Sequence, residues 1–409
     1  MLSPLVLAIP MYFLLMGVEL LYERWSGRHT YRLEDAVTNI NTGILNQITS
    51  IFFKLIKVGI YIWVYESFAL THLPENGWTF ALLFVLWDFG YYWEHRLAHT
   101  VSLFWGGHSV HHQSEDYNLS VALRQSSTAF IWGAPIYLPL ALLGFSPTHF
   151  VLVAGFNLLY QFWIHTEHIQ RMPRWFEAIF NTPSHHRVHH GRNLEYLDKN
   201  YAGVFIIWDR LFGTFEPEGT KAVYGVTTPL ASFNPVHANV AHYRWLFGQV
   251  GKARTLPDAA RMLFKPPGWL PDYLGGTQVP KDAAPDYRKH TARAHRRVQV
   301  YVLVQFLFQL AVAALFFFQQ AHWDLLPRLG FTAWLVWSSL MLGYLLEHTT
   351  SALRYAEIAR WLLLPVLFAL LGTPIWMAVG VLGAIHWVWV FYLPLEDPTP
   401  VSTSEPVNV

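Results

Sequence analysis

Long apolar stretches separated by short polar connections dominate the first and last parts of the chain. An α-helix needs about 20 mainly apolar residues to cross a bilayer. Stretches near that length occupy residues 4–22, 43–70, 78–93, 128–145, 148–164, 298–318, 330–346 and 361–393. Residues 298–318 would be apolar on every face of a helix, which is typical of a segment surrounded by lipid. The pattern predicts an all-α, polytopic helical membrane protein with eight or nine apolar segments.

The polar residues between these stretches suggest how the chain is divided. The last apolar stretch is interrupted at Gly372–Pro374, so it is either one bent helix or two short ones. The composition predicts N-terminal spans in 1–77, a histidine-rich core in 78–217, a polar segment in 218–297, C-terminal spans in 298–394 and a disordered tail in 395–409.

Basic residues are distributed unevenly among the predicted connections. Of the 28 lysines and arginines, 18 lie in 165–297, whereas 71–77 and 144–149 contain none. Because basic connections remain on the cytoplasmic side of a membrane, we expect 23–40, 95–127 and 165–297 to face the cytoplasm. The membrane would be a bacterial inner membrane or the endoplasmic reticulum.

Composition supports a membrane protein and excludes several kinds of site. Charged residues make up 13% of the chain, about half the usual 25% of soluble proteins. Cysteine is absent, which excludes disulfides, iron–sulfur clusters, cysteine nucleophiles and thiolate-bound metals. The formal net charge of +1 gives no indication of nucleic-acid binding.

Histidine is concentrated in one part of the chain, with 12 of 21 between His95 and His190. Eleven of these twelve form four motifs: His95-Arg-Leu-Ala-His99, His108-Ser-Val-His111-His112, His165-Thr-Glu-His168 and His185-His186-Arg-Val-His189-His190. Positions i, i+3 and i+4 share one face of a helix, so each dense motif presents two or three imidazoles in one direction. All of them fall on the predicted cytoplasmic face.

Such a concentration of imidazoles predicts a metal centre. Eight to ten nitrogen donors exceed what one ion needs, so two metal ions are the economical interpretation. Imidazole suits zinc, copper, iron and nickel alike. The His-Glu-x-x-His motif of zinc proteases and the Glu-x-x-His motif of soluble di-iron bundles are both absent from the sequence. The residues by themselves therefore predict a dinuclear site without choosing the metal.

The histidine motifs resemble the fatty acid hydroxylase/sterol desaturase superfamily of membrane-bound non-haem di-iron oxygenases. The surrounding residues resemble its alkylglycerol monooxygenase branch most closely, over about residues 80 to 217. The segments that carry this resemblance are Trp87–Arg96, Glu115–Leu119, Ala122–Ser126, Tyr160–Glu167, Asn181–Asn193, Asp198–Gly203 and Ile207–Phe215.

The resemblance implies two iron ions and a set of ligands. The implied ligands are His95, His99, His108, His111, His112, His165, His186, His189 and His190. His168 is an extra histidine relative to the pattern, and His185 precedes its motif, so neither is carried over as a ligand. The implied reaction hydroxylates an alkylglycerol beside its ether oxygen with O₂, giving a fatty aldehyde and glycerol. Tetrahydrobiopterin, or another reductant, would supply the electrons.

Polar residues beside the histidines are candidates for supporting roles. Ligating histidines usually donate their second N–H to a carboxylate or a carbonyl. Among several nearby carboxylates, Glu115 and Glu167 are favoured because each lies within three residues of a histidine. Asn118 is a further polar candidate near the expected mouth of the site.

Two other functions stay open at this level. One is a sterol, fatty-acid or carotenoid hydroxylase or desaturase fed by a separate redox protein. The other is a metal transporter or sensor, which should carry ionisable groups inside its spans. The predicted spans contain few such groups apart from Lys54 and Lys57, which disfavours transport. In either enzymatic interpretation the partners are a lipid and O₂.

Overall fold

The computed structural model describes residues 4–128, 130–282 and 287–394, with side chains omitted at 4–7, 54–57 and 130–132. The predicted disordered tail, 395–409, lies outside the described residues. The described chain is almost entirely helical and contains no β-strand, which confirms the all-α prediction.

Fifteen α-helices occur in the described residues. They are α1 Pro4–Ser26, α2 Leu33–Phe68, α3 Gly77–Thr100, α4 Ser102–His112, α5 Phe130–Leu142, α6 Pro147–Trp163, α7 Arg174–Ile179, α8 Pro183–His190, α9 Ile207–Phe212, α10 Pro235–Val250, α11 Leu256–Phe264, α12 Arg296–Gln319, α13 Leu325–Glu347, α14 Ser351–Leu370 and α15 Ile375–Phe391. Short 3₁₀ turns occur at Val121–Leu123, Leu194–Tyr196, Asp272–Leu274 and Gln320–His322.

Three of the described helical stretches are long and apolar enough to cross a membrane on their own. They are Leu33–Phe68, Arg296–His322 and Leu325–Glu347. Shorter apolar helices cover Gly133–Leu142 and Ile375–Phe391. The sequence predicted more spans because it counted apolar stretches alone. In the structure several of these stretches lie in helices that also contain polar residues or are shorter than a span. Several long apolar helices nevertheless agree with an integral membrane protein.

The last predicted apolar stretch is two helices, which answers the question that its break left open. Gly372 adopts a φ of +68° between α14 and α15, a conformation that glycine accepts without strain. The first of the two helices begins earlier than predicted, at Ser351, because the Thr350 side chain accepts a hydrogen bond from the Leu353 N–H and caps it.

This earlier start brings a buried ion pair into α14. Arg360 donates from Nε to Glu357 Oε2 at 2.9 Å, and both residues are fully buried. The same guanidinium donates to Ser338 Oγ at 3.1 Å and to Gln305 Oε1 at 2.6 Å. The C-terminal helices are thus joined by a charged network just outside the stretch that the sequence marked as apolar.

The two largest hydrophobic clusters among the described residues hold most of the long helices together. The larger joins α1 and α2 to α12–α15 around Trp334 and Trp361, both fully buried. The smaller joins α2, α3, α5 and α6 around Trp87 and Tyr137. Helix α4 continues almost directly from α3 and packs against α10. A Cβ on Gly106 would come within 2.5 Å of the Tyr243 ring, so only glycine permits this close approach.

Candidate metal centre

Four helical segments bring the histidine motifs to one place. His95 and His99 lie on the last turns of α3, and α4 carries the second motif. His165 follows the end of α6, where the Ile164 N–H closes the last turn on Phe162 O. The fourth motif occupies α8, a helix of eight residues that begins with Pro183 at its first turn.

The nine predicted ligands form two groups whose ring nitrogens lie within 4.8 Å of one another in each group. The first group, of five, contains His95, His99, His108, His112 and His189. The second group, of four, contains His111, His165, His186 and His190. The groups adjoin, because the His112 and His190 rings stack with their centroids 4.4 Å apart.

Backbone carbonyls orient several of these rings. In the first group, His95 Nδ1 lies 2.7 Å from Tyr201 O, and His189 Nδ1 lies 3.0 Å from Lys199 O. In the second group, His111 Nδ1 lies 2.9 Å from Arg124 O, and His165 Nδ1 lies 2.7 Å from Gln161 O. A carbonyl can only accept a hydrogen bond, so Nδ1 carries the proton in each ring and Nε2 presents a lone pair.

These lone pairs converge. The Nε2 atoms of His111 and His165 lie 3.2 Å apart, although neither carries a proton to share. The Nε2 atoms of His189 and His190 are buried and have no hydrogen-bond partner among the described residues. Converging unprotonated nitrogens are unfavourable by themselves and favourable around a cation. The donor set therefore fits metal ions, one for each group.

Burial keeps the imidazoles of α4 and α8 neutral. Desolvation, followed by the neighbouring imidazoles, lowers the pKa values of His108, His112, His186 and His190 well below the usual 6.5. Desolvation also lowers the pKa of His111 to about 4. A neutral imidazole is the form that binds a metal, so near neutral pH these rings can act as ligands without first losing a proton.

The loop 198–202 supplies carbonyls to the first group. Asp198 and Asn200 adopt φ angles of +58° and +54°, a left-handed conformation that Asp and Asn tolerate better than most residues. The carboxylate of Asp209 accepts the Tyr201 and Ala202 N–H groups, both at 2.8 Å. Asp209 thereby fixes the peptide whose carbonyl accepts from His95.

Asp209 is one of the carboxylates near the histidine motifs that the sequence offered as supporting groups. Sequence reasoning expected such carboxylates to contact the imidazoles directly, whereas Asp209 acts through the backbone of Tyr201. Asn200 is a second such residue, since its side chain donates to His185 O at 3.0 Å and to Glu216 O at 2.8 Å. The only available signal was the pair of Asp and Asn residues at 198 and 200, a pattern typical of left-handed turns.

The structure gives the three other predicted site residues different partners. Glu115 accepts from the Tyr287 hydroxyl and, at 2.6 Å, from the His290 N–H. Asn118 donates to Thr30 O at 2.7 Å and accepts from the Ser120 side chain at 2.6 Å. Glu167 is half-buried and hydrogen-bonds to Tyr224. Their contacts are those of residues that tie loops together, and a catalytic role for them stays a prediction.

The two histidines that the sequence left open lie outside both groups. His168 Nε2 is 3.5 Å from Thr30 Oγ1, and its ring packs edge-on against Tyr22. His185 is buried against Phe215, with ring centroids 5.4 Å apart. Although His185 and His186 are adjacent in sequence, successive helical positions point about 100° apart, so only the second reaches the histidine groups.

Comparison with known proteins agrees with this geometry. The model of the fatty acid hydroxylase family matches residues 80–214. The alkylglycerol monooxygenase of Homo sapiens is 39% identical over 350 residues, covering 84% of this chain and 78% of the human protein. The Danio rerio enzyme of the same name is 37% identical over 87% of this chain and 79% of its own length. No solved structure gives a significant match.

The histidine geometry indicates a metal-binding site, and the similarities indicate an enzyme that acts on lipids with O₂. The relative from Caenorhabditis elegans, also an alkylglycerol monooxygenase, is 33% identical over 81% of this chain and 69% of its own length. The chain belongs to the fatty acid hydroxylase family, in its alkylglycerol monooxygenase branch, and is a lipid monooxygenase.

Proposed function

We propose that this chain holds two iron ions and uses O₂ to cleave the ether bond of alkylglycerols. One oxygen atom enters the C–H bond next to the ether oxygen, and the other leaves as water with two electrons and two protons from a reductant. The resulting hemiacetal then collapses to a fatty aldehyde and glycerol. The observation that carries the proposal is the pair of adjoining histidine groups in a chain 39% identical to a named alkylglycerol monooxygenase.

The nine histidines would hold the two ions, the first group one and the second group the other. Bound iron would supply the oxidising power that an unactivated C–H bond requires. The protein contributes the rest of the arrangement. The carbonyls of Tyr201, Arg124 and Gln161 fix the ring orientations of their histidines, and burial excludes water from the imidazoles.

The electron donor follows from the resemblance alone. Tetrahydrobiopterin is the donor that the alkylglycerol monooxygenase branch implies, and a separate redox protein is the other candidate. The two differ in a simple way, because a small pterin would support turnover by the purified chain without any added protein.

Placement in the membrane completes the proposal. The helices α3 and α6 end beside the histidines, so a lipid chain could reach the site from the bilayer while the reductant arrives from water. The basic residues of 165–297 support a cytoplasmic orientation of this face. In this arrangement residues 78–217 form the catalytic core, and 1–77 and 298–394 form the flanking membrane helices.

The test is a turnover assay on the purified full-length chain. The protein is supplied with an alkylglycerol, O₂ and tetrahydrobiopterin, and fatty aldehyde is measured. We expect aldehyde that depends on both O₂ and the pterin. Bound iron without pterin-dependent aldehyde would replace the proposal with a hydroxylase or desaturase fed by a redox protein. Absence of bound metal would contradict both enzymatic interpretations.

A further inference from the structure

A cleft of about 420 Å³ lies beside the first turn of α8, separate from the two histidine groups. Its wall includes Ser184 and His185 of α8 and three arginines from different parts of the chain. Arg171 precedes α7, Arg174 begins α7 and Arg210 belongs to α9. None of these arginines belongs to the histidine groups or to the contacts that orient them.

The charge of the cleft is predominantly positive. Of its two acidic residues, Glu218 is paired with Arg187, whose Nε and Nη2 lie 2.6 Å from the two carboxylate oxygens. Glu177 accepts from the Met172 N–H at 2.9 Å and from Ser184 Oγ at 2.8 Å. Arg171 and Arg210 each donate from Nη2 to a backbone carbonyl, that of Glu218 at 2.9 Å and that of Glu177 at 3.3 Å, and each keeps further N–H donors. Three guanidinium groups thus line a cleft whose one remaining carboxylate has other partners. Such an arrangement favours an anion with several oxygens.

His185 provides an independent sign of a ligand. It is 3% exposed and lines the cleft. Its ring hydrogen-bonds to the backbone of Phe180, yet Nδ1 is buried and has no partner in the part of the chain that the structure describes. A buried polar atom usually has a partner, and a ligand hydroxyl in the cleft would supply one.

Two exposed apolar residues directly follow arginines of the cleft in the sequence. Trp175 on α7 is 67% exposed and Leu211 on α9 is 70% exposed. Helix α9 packs near the end of the apolar stretch 78–93 of α3, since the ring centroids of Phe89 and Trp208 lie 5.1 Å apart. The cleft is therefore level with the end of a predicted span, where phospholipid headgroups lie and where tryptophan is enriched.

We propose that this cleft binds the headgroup of an anionic glycerophospholipid from the surrounding membrane. The arginines hold the phosphate oxygens, His185 Nδ1 accepts from a headgroup hydroxyl, and Trp175 and Leu211 contact the acyl chains. Basic pockets at the cytoplasmic ends of membrane helices recognise headgroups by this chemistry. A binding site for a membrane phospholipid goes beyond the proposed function, and its test measures binding without turnover.

The experiment is calorimetric titration of the purified full-length protein in detergent with short-chain phosphatidylglycerol. The comparison ligands are diacylglycerol with the same acyl chains, which lacks the phosphate, and inorganic phosphate, which lacks the chains. The test variant is Arg174→Gln. No hydrogen bond or ion pair to the Arg174 side chain occurs among the described residues, so the substitution leaves the fold intact. The matched control is Arg261→Gln, another exposed arginine, paired with Asp258 at 3.3 Å on α11.

We expect the wild type to bind phosphatidylglycerol saturably. The affinity of Arg174→Gln should be about tenfold lower, because the variant loses one charge-assisted hydrogen bond. Arg261→Gln should bind like the wild type. The proposal is overturned if diacylglycerol binds as tightly as phosphatidylglycerol, or if Arg174→Gln binds as tightly as the wild type. Inorganic phosphate binding with equal affinity would overturn the assignment to a lipid. Because no turnover is involved, failure of the ether-cleavage assay leaves these outcomes unchanged.

Discussion

Replacing Asp209 by asparagine tests how the orientation of His95 affects metal binding without changing the histidine itself. The Asp209 carboxylate accepts the Tyr201 and Ala202 N–H groups at 2.8 Å, and Thr214 Oγ1 donates to it at 2.7 Å. Asparagine has the same shape, but one of its two terminal groups is a donor. One of the two backbone N–H groups would therefore lose its acceptor inside the protein.

The size of the effect follows from these contacts. A buried N–H left without an acceptor costs about 1–3 kcal/mol of stability. The larger consequence lies in the same peptide group as the Ala202 N–H, because its carbonyl, Tyr201 O, accepts from His95 Nδ1 at 2.7 Å. Loss of such an outer hydrogen-bond partner typically lowers metal affinity by about 10–100-fold. We expect Asp209→Asn to fold and to retain less metal under dilution than the wild type.

The assay measures bound metal after dialysis, together with the thermal midpoint of unfolding and the rate of aldehyde formation. Asp258→Asn is the matched control, because Asp258 makes its side-chain contacts with Arg261 and Tyr273 at the surface. The reasoning is refuted if Asp209→Asn retains metal and turnover like the wild type. A lower thermal midpoint with unchanged metal retention would show that Asp209 only stabilises the fold.

Three further predictions concern the histidine groups and the C-terminal helices. His111→Ala should abolish turnover, because it removes one of the four nitrogens of the second group, while the protein still accumulates in the membrane; turnover near the wild-type rate would remove His111 from the site. Chelation of metal should lower the thermal midpoint, since the converging Nε2 lone pairs would lose their cation, and added Fe²⁺ should restore it; an unchanged midpoint would contradict the fit of this donor set to metal. Arg360→Met should lower the free energy of unfolding by about 3–5 kcal/mol by leaving the Glu357 carboxylate buried without its partner, and the double variant with Glu357→Leu should recover much of this in denaturation experiments; a double variant as unstable as the single one would show that packing, rather than charge, dominates.

The spacing of the histidines predicted which side chains share a helical face, and the structure brings all nine together. It could not predict their division between two groups. His111 and His112 are neighbours on α4, yet their rings belong to different groups. Which group each ring joins depends on where α6 and α8 approach α4, and this is decided by tertiary packing that one sequence does not display. That the two groups bind iron remains a prediction.

The hydrogen-bond partners of the imidazoles were harder to predict than the identity of the histidines. Glu115 and Glu167 were favoured because they lie near histidines in sequence, but a side chain within three residues can point away from its neighbour. Every residue offers a backbone carbonyl, so Tyr201 and Lys199 could serve without any distinguishing feature in their side chains. The buried Arg360–Glu357 pair in α14 was missed for a related reason. A charged residue beside an apolar stretch does not show in the sequence that a distant residue such as Gln305 will hydrogen-bond to it.

Iron content of the purified full-length chain tests the central claim most directly. Protein from iron-supplied cells is analysed for metal per polypeptide, alongside His108→Ala for the first group and His186→Ala for the second. The account predicts two irons for each wild-type chain and a reduced content in each variant. A wild-type chain with no iron, or with a single ion that neither substitution affects, would contradict it.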